Sequence, residues 1–281
     1  MGQCSSGSIL RHDGRLVKRR TTTSRPAPGL PTSIIVIAVI AIALLVLPLV
    51  GLLIQAPWSS LFSLLGNEAT LTAIRVSAVV SLAAAALSIL IGVPLAFLLA
   101  RVEFPGKSII RTIVTVPLVL PPVVTGVALI YGFGRSGLLG KVLGFGLPFT
   151  TVGAVVAATV VAMPFLVLSV EGALRSVDPR FDQMAASLGA GPLHRWWHVS
   201  LPMIRPSILA GAVLAWARAL GEFGATITFA GNVPGVTRTL PLEVSTAINS
   251  DPDRAVALSL LMLAVSLAVL IGLRDSWVPR R

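Results

Sequence analysis

The chain has 281 residues, of which 55% are hydrophobic and only 12% are charged, and its formal net charge is +11. Because a soluble domain carries roughly a quarter charged residues, this composition excludes an ordinary soluble protein and predicts an all-α polytopic protein surrounded by membrane lipid. The single cysteine excludes a disulfide framework and a thiolate metal site, and the basic residues lack the aromatic-rich polar setting of a nucleic-acid-binding surface.

The chain begins with a basic tail, residues 1–32, that is too polar to bury a core. We expect this tail to be disordered and cytoplasmic. Residues 33–281 form the predicted transmembrane domain. A helix needs about 20 apolar residues to cross the core of a bilayer. Six runs of about this length follow one another, at residues 33–54, 69–100, 109–133, 151–170, 207–230 and 255–273.

The distribution of Lys and Arg predicts the orientation of these spans. With the N-terminus inside, the tail, residues 101–111, residues 175–205 and the C-terminal end hold sixteen of the 22 basic residues, whereas the outer loops hold four. Cytoplasmic segments are the ones enriched in Lys and Arg. Both termini are therefore predicted to be cytoplasmic.

The third predicted span is the one most interrupted by proline. Pro117, Pro121 and Pro122 remove backbone hydrogen bonds in the middle of the membrane. Freed carbonyls at that depth are tolerated only where they meet protein or a water-lined cavity. These three residues are therefore candidates for the wall of a pathway, and the alternative is a proline-kinked helix that only packs against its neighbours.

The loop at residues 175–206 lies between two predicted spans and breaks into two short pieces at Gly189–Pro192. A cytoplasmic loop with helices of its own, held between two spans, is predicted to be a docking surface. Apolar contacts for a partner would come from four of its residues, Phe181, Leu188, Trp196 and Trp197. For the two tryptophans, anchoring at the membrane interface is the alternative.

The fifth predicted span contains the only two charged residues expected near its middle, Arg218 and Glu222. Being four residues apart, they lie on one face of a helix and are predicted to pair, because a lone charge there is costly. The pair is a candidate polar element of an anion pathway, and the alternative is a structural ion pair that fixes the orientation of the helix.

The sequence offers no catalytic chemistry of its own. It contains no Gly-x4-Gly-Lys-Ser/Thr phosphate-binding loop, and the predicted spans contain no carboxylate pair and no Ser/His/Asp set. His194 and His198 are four residues apart but lack an acidic third ligand near them in the sequence, so no metal site is expected. Without a catalytic or cofactor site, any energy for transport has to enter through a partner.

A block of about 25 residues carries a family resemblance. Arg218–Ala225 (RALGEFGA), followed by Phe229–Asn232 (FAGN) and Thr237–Leu242 (TRTLPL), resembles permeases of the molybdate branch of the molybdate/sulfate/tungstate importers. The resemblance covers residues 33–273. It implies the architecture of a type I ABC-importer permease with six helices, in the plasma (inner) membrane of a prokaryotic-type cell.

The same resemblance implies partners and a substrate. The chain would act with a second copy of itself, a cytoplasmic ATPase dimer that uses ATP and magnesium, and an extracytoplasmic molybdate-binding protein. It would hold no cofactor of its own. Molybdate is the implied substrate, sulfate and tungstate are alternatives, and a secondary transporter or channel that needs no ATPase is a further alternative.

The resemblance also gives the loop at 175–206 the role of coupling to the ATPase. Gly189 and Leu201-Pro202 stand where the family pattern, Glu-Ala-Ala followed by Gly and then Leu-Pro, requires them. Gln183 replaces the Glu, so a salt bridge from that position is not expected. The residues implied in coupling are Gln183, Ala185, Leu188, Gly189, Trp196, Leu201 and Pro202.

Overall fold

A computed structural model describes residues 32–277 of the chain, and all regular structure in that range is helical. Residues 1–31 of the predicted tail lie outside the described residues. The helices are α1 (Thr32–Ile54), α2 (Leu61–Leu65), α3 (Glu68–Arg101), α4 (Lys107–Val119), α5 (Pro122–Phe133), α6 (Leu138–Leu143), α7 (Thr151–Ser176), α8 (Arg180–Ser187), α9 (Pro192–Arg195), α10 (Leu201–Leu220), α11 (Gly224–Phe229), α12 (Leu240–Ser250) and α13 (Pro252–Trp277), with a π-helical turn, Trp196–Ser200, between α9 and α10.

Within residues 32–277, six helical segments are long and apolar enough to cross a membrane. This confirms the predicted all-α fold with six spans, while the cytoplasmic position of both termini stays a prediction. The segments are Thr32–Ile54, Glu68–Arg101, Pro122–Val142, Thr151–Ser176, Pro192–Leu220 and Pro252–Gly272.

The chain divides into two compact units at Val50. The first unit ends within α1, an almost entirely aliphatic helix with Pro48 near its end. The second unit begins at Gly51 and contains all the predicted functional residues.

The core of the second unit is formed by α3, α7 and α10, which pack against one another. Small residues bring these helices close: a Cβ on Gly211 would lie 3.0 Å from the Cβ of Ser169, and one on Gly92 would lie 3.3 Å from a methyl group of Leu166. Lipid tails are as apolar as leucine, so close van der Waals packing of this kind, rather than exclusion of water, holds membrane helices together.

The segment predicted as the third span, 109–133, consists of two helices. Helix α4 ends at Val119 and α5 begins at Pro122, with Leu120 and Pro121 both extended at ψ 134°. Pro121 and Pro122 lack an N–H group, and a proline disfavours the helical conformation in the residue before it. The consecutive prolines therefore end α4, and the candidate membrane span starts after the break.

The segment predicted as the fifth span, 207–230, is also broken. Helix α10 ends at Leu220, and residues 221–223 separate it from α11. The Glu222 carboxylate accepts a hydrogen bond of 2.7 Å from the N–H of Ala225. Because the first amides of a helix have no partner within it, a buried carboxylate that accepts one of them favours a new helix start at this point.

Candidate functional sites

The two helix breaks meet in space. A Cβ on Gly224, the first residue of α11, would lie 2.6 Å from the Cβ of Pro122, the first residue of α5, and 3.5 Å from the backbone nitrogen of Val123. Only a residue without a side chain allows this approach. The structure thus brings Pro122 close to the segment that carries Glu222, two features that the sequence places in separate spans. Pro121 stands at the same break, and Pro117 lies inside α4, five residues before Pro122.

Arg218 and Glu222 form an ion pair of 2.8 Å between Nη1 and Oε2, as their spacing predicts. They do not lie on one continuous helix, because Arg218 is in the last turn of α10 and Glu222 follows its end. The Glu222 side chain is 2% exposed and that of Arg218 is 29% exposed. One carboxylate therefore neutralises the guanidinium and accepts from the first turn of α11, while the Arg218 side chain stays partly exposed.

The predicted docking loop forms α8, α9 and the π-helical turn. Gly189 separates α8 from α9 and has a φ of +83°, in the left-handed region where glycine carries no steric penalty. Beside it Leu188 is 88% exposed, and Phe181, Met184 and Leu193 are exposed as well. Gln183 is exposed and Ala185 is half-buried. The loop thus presents apolar side chains on a short helical scaffold.

The other side of this loop is attached to the end of α3. The rings of Trp196 and Phe97 meet edge to face with centroids 4.4 Å apart. An Arg101 Nη2 group donates to the carbonyl oxygen of Val177 at 3.3 Å, where α7 passes into the loop. Trp196 is half-buried by this packing, whereas Trp197 is 55% exposed. Leu201 and Pro202, both half-buried, begin α10.

The loop is also braced internally. Arg195 of α9 donates to the Asp182 carboxylate of α8 at 2.7 Å, so that the two short helices are held together across Gly189. The rings of His194 and His198 stack with centroids 4.0 Å apart. Within residues 32–277, no group of three or more His, Cys, Asp and Glu side chains is placed to hold a metal ion.

A buried charged cluster at the loop end of α7 was not predicted. Glu171 of α7 is 4% exposed. Its Oε1 atom accepts hydrogen bonds from Arg111 of α4 and forms an ion pair of 2.9 Å with Arg175, one turn further along α7. Arg111 also donates to the carbonyl oxygen of Leu99 in α3 at 3.4 Å. In sequence the only signal was a Glu and an Arg four residues apart at the end of the fourth span.

An exposed ion pair lies near this cluster in sequence. Lys107 donates to the Glu103 carboxylate at 2.6 Å, and this hydrogen bond, together with the lysine charge, lowers the pKa of Glu103. Glu103 lies between α3 and α4, outside the membrane-spanning segments. Unlike Glu171, it is open to solvent, so its pairing affects stability little.

A second unpredicted cluster lies between α11 and α13. The segment between the fifth and sixth predicted spans contains α12, which starts with Leu240-Pro241. Its Glu243 is 1% exposed and pairs with Arg254 at 3.1 Å and with Arg238 at 3.4 Å. Proline is favoured in the first turn of a helix, and this was the signal for α12 that sequence reasoning missed.

Comparisons with known proteins agree with this architecture. A family model described as "Binding-protein-dependent transport system inner membrane component" matches residues 89–280. The chain is 44% identical to the molybdenum transport system permease protein ModB of Mycobacterium tuberculosis over 250 residues, which cover 88% of this chain and 95% of that protein. It is 41% identical to ModB of Escherichia coli K12 over 212 residues, 74% of this chain and 93% of that protein.

A sulfate transporter is more distant in sequence. The sulfate transport system permease protein CysW of Synechococcus elongatus is 33% identical over 250 residues, 86% of this chain and 87% of that protein. Among solved structures, a bacterial ABC transporter involved in the import of the acidic polysaccharide alginate matches 87% of this chain and 93% of its own, with a TM-score of 0.68 and 19% identity. At that identity the likeness is one of fold.

Proposed function

Since this chain belongs to the family of binding-protein-dependent transport system inner membrane components, we propose that it is the permease subunit of an ATP-driven importer of molybdate. The observation that carries the substrate is the 44% identity with ModB over 95% of that protein's length, against 33% for the sulfate permease. The chain is a multi-pass protein of the plasma membrane, as its six spans and its family require.

ATP hydrolysis, with magnesium, takes place in a partner subunit. The chain contains no phosphate-binding loop, so the energy enters through the segment that faces a cytoplasmic ATPase. We assign this role to the loop formed by α8, Gly189 and α9. Its exposed Leu188 and Phe181 are apolar groups for a groove of the ATPase, and Gln183 and Ala185 lie on the same short helix. Trp196, Leu201 and Pro202 hold the loop on the transmembrane helices.

The translocation pathway is assigned to the contact between the two helix breaks. Pro117, Pro121 and Pro122 lie on one side and Arg218 and Glu222 on the other. The Arg218 side chain, which is 29% exposed, attracts an oxyanion, while the carboxylate 2.8 Å from its Nη1 atom offsets its charge. Conduction requires binding that is favourable enough for entry and weak enough for release. A neutralised arginine meets both requirements for a dianion that must leave again.

The importer would be completed by a second copy of this chain, an ATPase dimer and an extracytoplasmic molybdate-binding protein. A solved structure similar in fold to this chain is that of a bacterial alginate ABC transporter in complex with a periplasmic protein loaded with an alginate pentasaccharide, with a TM-score of 0.67. Closure of the ATPase dimer on ATP would push the two loops together and open the pathway outward, and hydrolysis would reset it inward.

Uptake of labelled molybdate by cells with and without this chain tests the proposal, with excess sulfate or tungstate as competitors. We expect uptake to be lost without the chain and to be insensitive to sulfate. If a modest concentration of sulfate abolishes the uptake, sulfate is the substrate. The similarity to CysW makes sulfate the second candidate. Uptake that does not depend on the chain contradicts the assignment as an importer subunit.

A further inference from the structure

The charged cluster at Glu171 joins three helices where α7 enters the loop formed by α8, Gly189 and α9, here called the coupling loop. Glu171 sits on α7, six residues before Val177, where the loop starts. One of its two cations, Arg175, belongs to the same helix, and the other, Arg111, comes from α4. Arg111 bridges further to α3 through the carbonyl oxygen of Leu99. The Glu171 side chain is only 6% exposed, so its carboxylate is buried, whereas both arginine side chains are partly exposed.

Neutralising a buried carboxylate requires only one cation, and Arg175 supplies it from the same helix at 2.9 Å. Arg111 therefore adds something that Arg175 cannot, a polar connection between α4 and α7. Helix α4 ends at Val119, eight residues after Arg111, and the break that follows leads to Pro122, which packs against Gly224 at the start of α11. The connection thus lies between the loop at one end of α7 and the helix breaks at the far end of α4.

We propose that Arg111 and Glu171 are positioning residues for energy coupling: they hold α4 on α7 so that a displacement of the coupling loop reaches the helix breaks. This inference rests on the proposed function. Side-chain networks with a defined arrangement carry coupling between distant sites, and substitutions within them change it by about 0.5–2 kcal/mol, roughly two- to thirtyfold. The paired arginines allow this role to be separated from plain charge neutralisation.

The experiment uses the complete complex with its ATPase and a molybdate-loaded binding protein, reconstituted in proteoliposomes. Arg111→Gln and Arg175→Gln each remove one cation from the same carboxylate, and the two arginine side chains are 35% and 50% exposed. We expect Arg111→Gln to lower the molybdate transported per ATP hydrolysed by about tenfold, while Arg175→Gln keeps it within about twofold of wild type. Thermal unfolding of both complexes is measured in parallel.

If Arg111 only neutralises the Glu171 carboxylate, as Arg175 does, the two glutamine variants should have the same transport per ATP and the same unfolding temperature. That result overturns the proposal. If Arg111→Gln does not assemble, the lysine variants decide. Lysine keeps the charge but is a point donor that cannot match the arginine fork, which reaches Glu171 and Leu99 together. Arg111→Lys should lose coupling by about threefold and Arg175→Lys should not, and equal values refute the proposal.

The wild-type complex distinguishes failure of the inference from failure of the proposed function. Suppose that the wild-type complex transports molybdate and that the binding protein stimulates its ATPase activity. The comparison of transport per ATP between the Arg111 and Arg175 variants then tests the role of Arg111 alone. If the wild type itself shows no transport of molybdate and no stimulated hydrolysis, the proposed function is wrong, and the inference that depends on it falls as well.

Discussion

Gly126 of α5 and Thr228 of α11 pack so closely that a Cβ on the glycine would lie 2.5 Å from the Cβ of Thr228 and 3.1 Å from the carbonyl oxygen of Ala225. Real Cβ atoms do not approach other atoms to 2.5 Å, and the atoms that would be met belong to a β-branched side chain and to the backbone. This glycine therefore fixes the distance between the two helices that follow the breaks.

Gly126→Ala should force α5 and α11 apart and lower the free energy of unfolding by about 1–3 kcal/mol, the usual cost of overpacking. Gly132→Ala, in the same helix, is the matched control, since nothing lies within 4 Å of a Cβ at that position. Alanine is favoured over glycine in a helix by about 1 kcal/mol, so the control should be neutral or stabilising. Thermal unfolding in detergent and molybdate uptake are measured for both variants. Equal effects of Gly126→Ala and Gly132→Ala would contradict this close packing of α5 and α11.

The ion pair at the end of α10 should respond unequally to removal of its two partners. Arg218→Gln leaves the Glu222 carboxylate, 2% exposed, without its cation, and we expect a loss of about 3–5 kcal/mol. Glu222→Gln keeps an acceptor for the Ala225 N–H and leaves an arginine that is 29% exposed, so about 1 kcal/mol is expected. The double variant should be more stable than Arg218→Gln alone. Thermal unfolding of the three proteins decides, and equal losses in the two single variants refute the asymmetry.

Leu188 should contribute to binding of the ATPase and little to the folding stability of the permease. Its side chain is 88% exposed, so Leu188→Ser should change stability by less than about 0.5 kcal/mol. If Leu188 fills a groove of the ATPase, the substitution should cost more than about 1 kcal/mol of binding. Ile248→Ser, at an exposed position of α12, is the control expected to leave binding unchanged. Co-purification with the ATPase at several protein concentrations measures the difference, and unchanged binding of the Leu188 variant would remove this residue from the interface.

The parts of the fold that follow from local sequence were predictable. Long apolar runs predicted six spans, and the structure has six candidate spans. The third was placed at 109–133, whereas the consecutive prolines at 121 and 122 divide that segment and the candidate span begins at Pro122. The spacing of Arg218 and Glu222 gave their pairing. The sequence could not show that Glu222 lies beyond the end of α10, because this depends on its hydrogen bond with Ala225 and on the packing of Gly224 against Pro122.

The cluster around Glu171 escaped prediction for a physical reason. Arg111 and Glu171 are 60 residues apart, and only the packing of α4 against α7 brings them together. Likewise, the N–H of Leu240 donates at 2.6 Å to the hydroxyl of Ser77, across 163 residues. Periodicity and local spacing describe single helices, so charge pairs between helices appear only once the packing is known.

Gly189 provides a direct test of the coupling loop, because any residue with a side chain is strained at its φ of +83°. Placing an L-residue in the left-handed region costs about 1–2 kcal/mol, so Gly189→Ala should disfavour the turn between α8 and α9 and weaken association with the ATPase and molybdate uptake together. Gly191→Ala is the matched control two residues away: its φ is −66°, and nothing lies within 4 Å of a Cβ there.

Pull-down of the ATPase and molybdate uptake are measured for the Gly189→Ala and Gly191→Ala variants at equal expression. Because the transmembrane core does not contain Gly189, the unfolding temperature of the isolated permease should change little. If Gly189→Ala binds the ATPase and imports molybdate as well as Gly191→Ala does, this loop is not the site through which the energy of ATP enters.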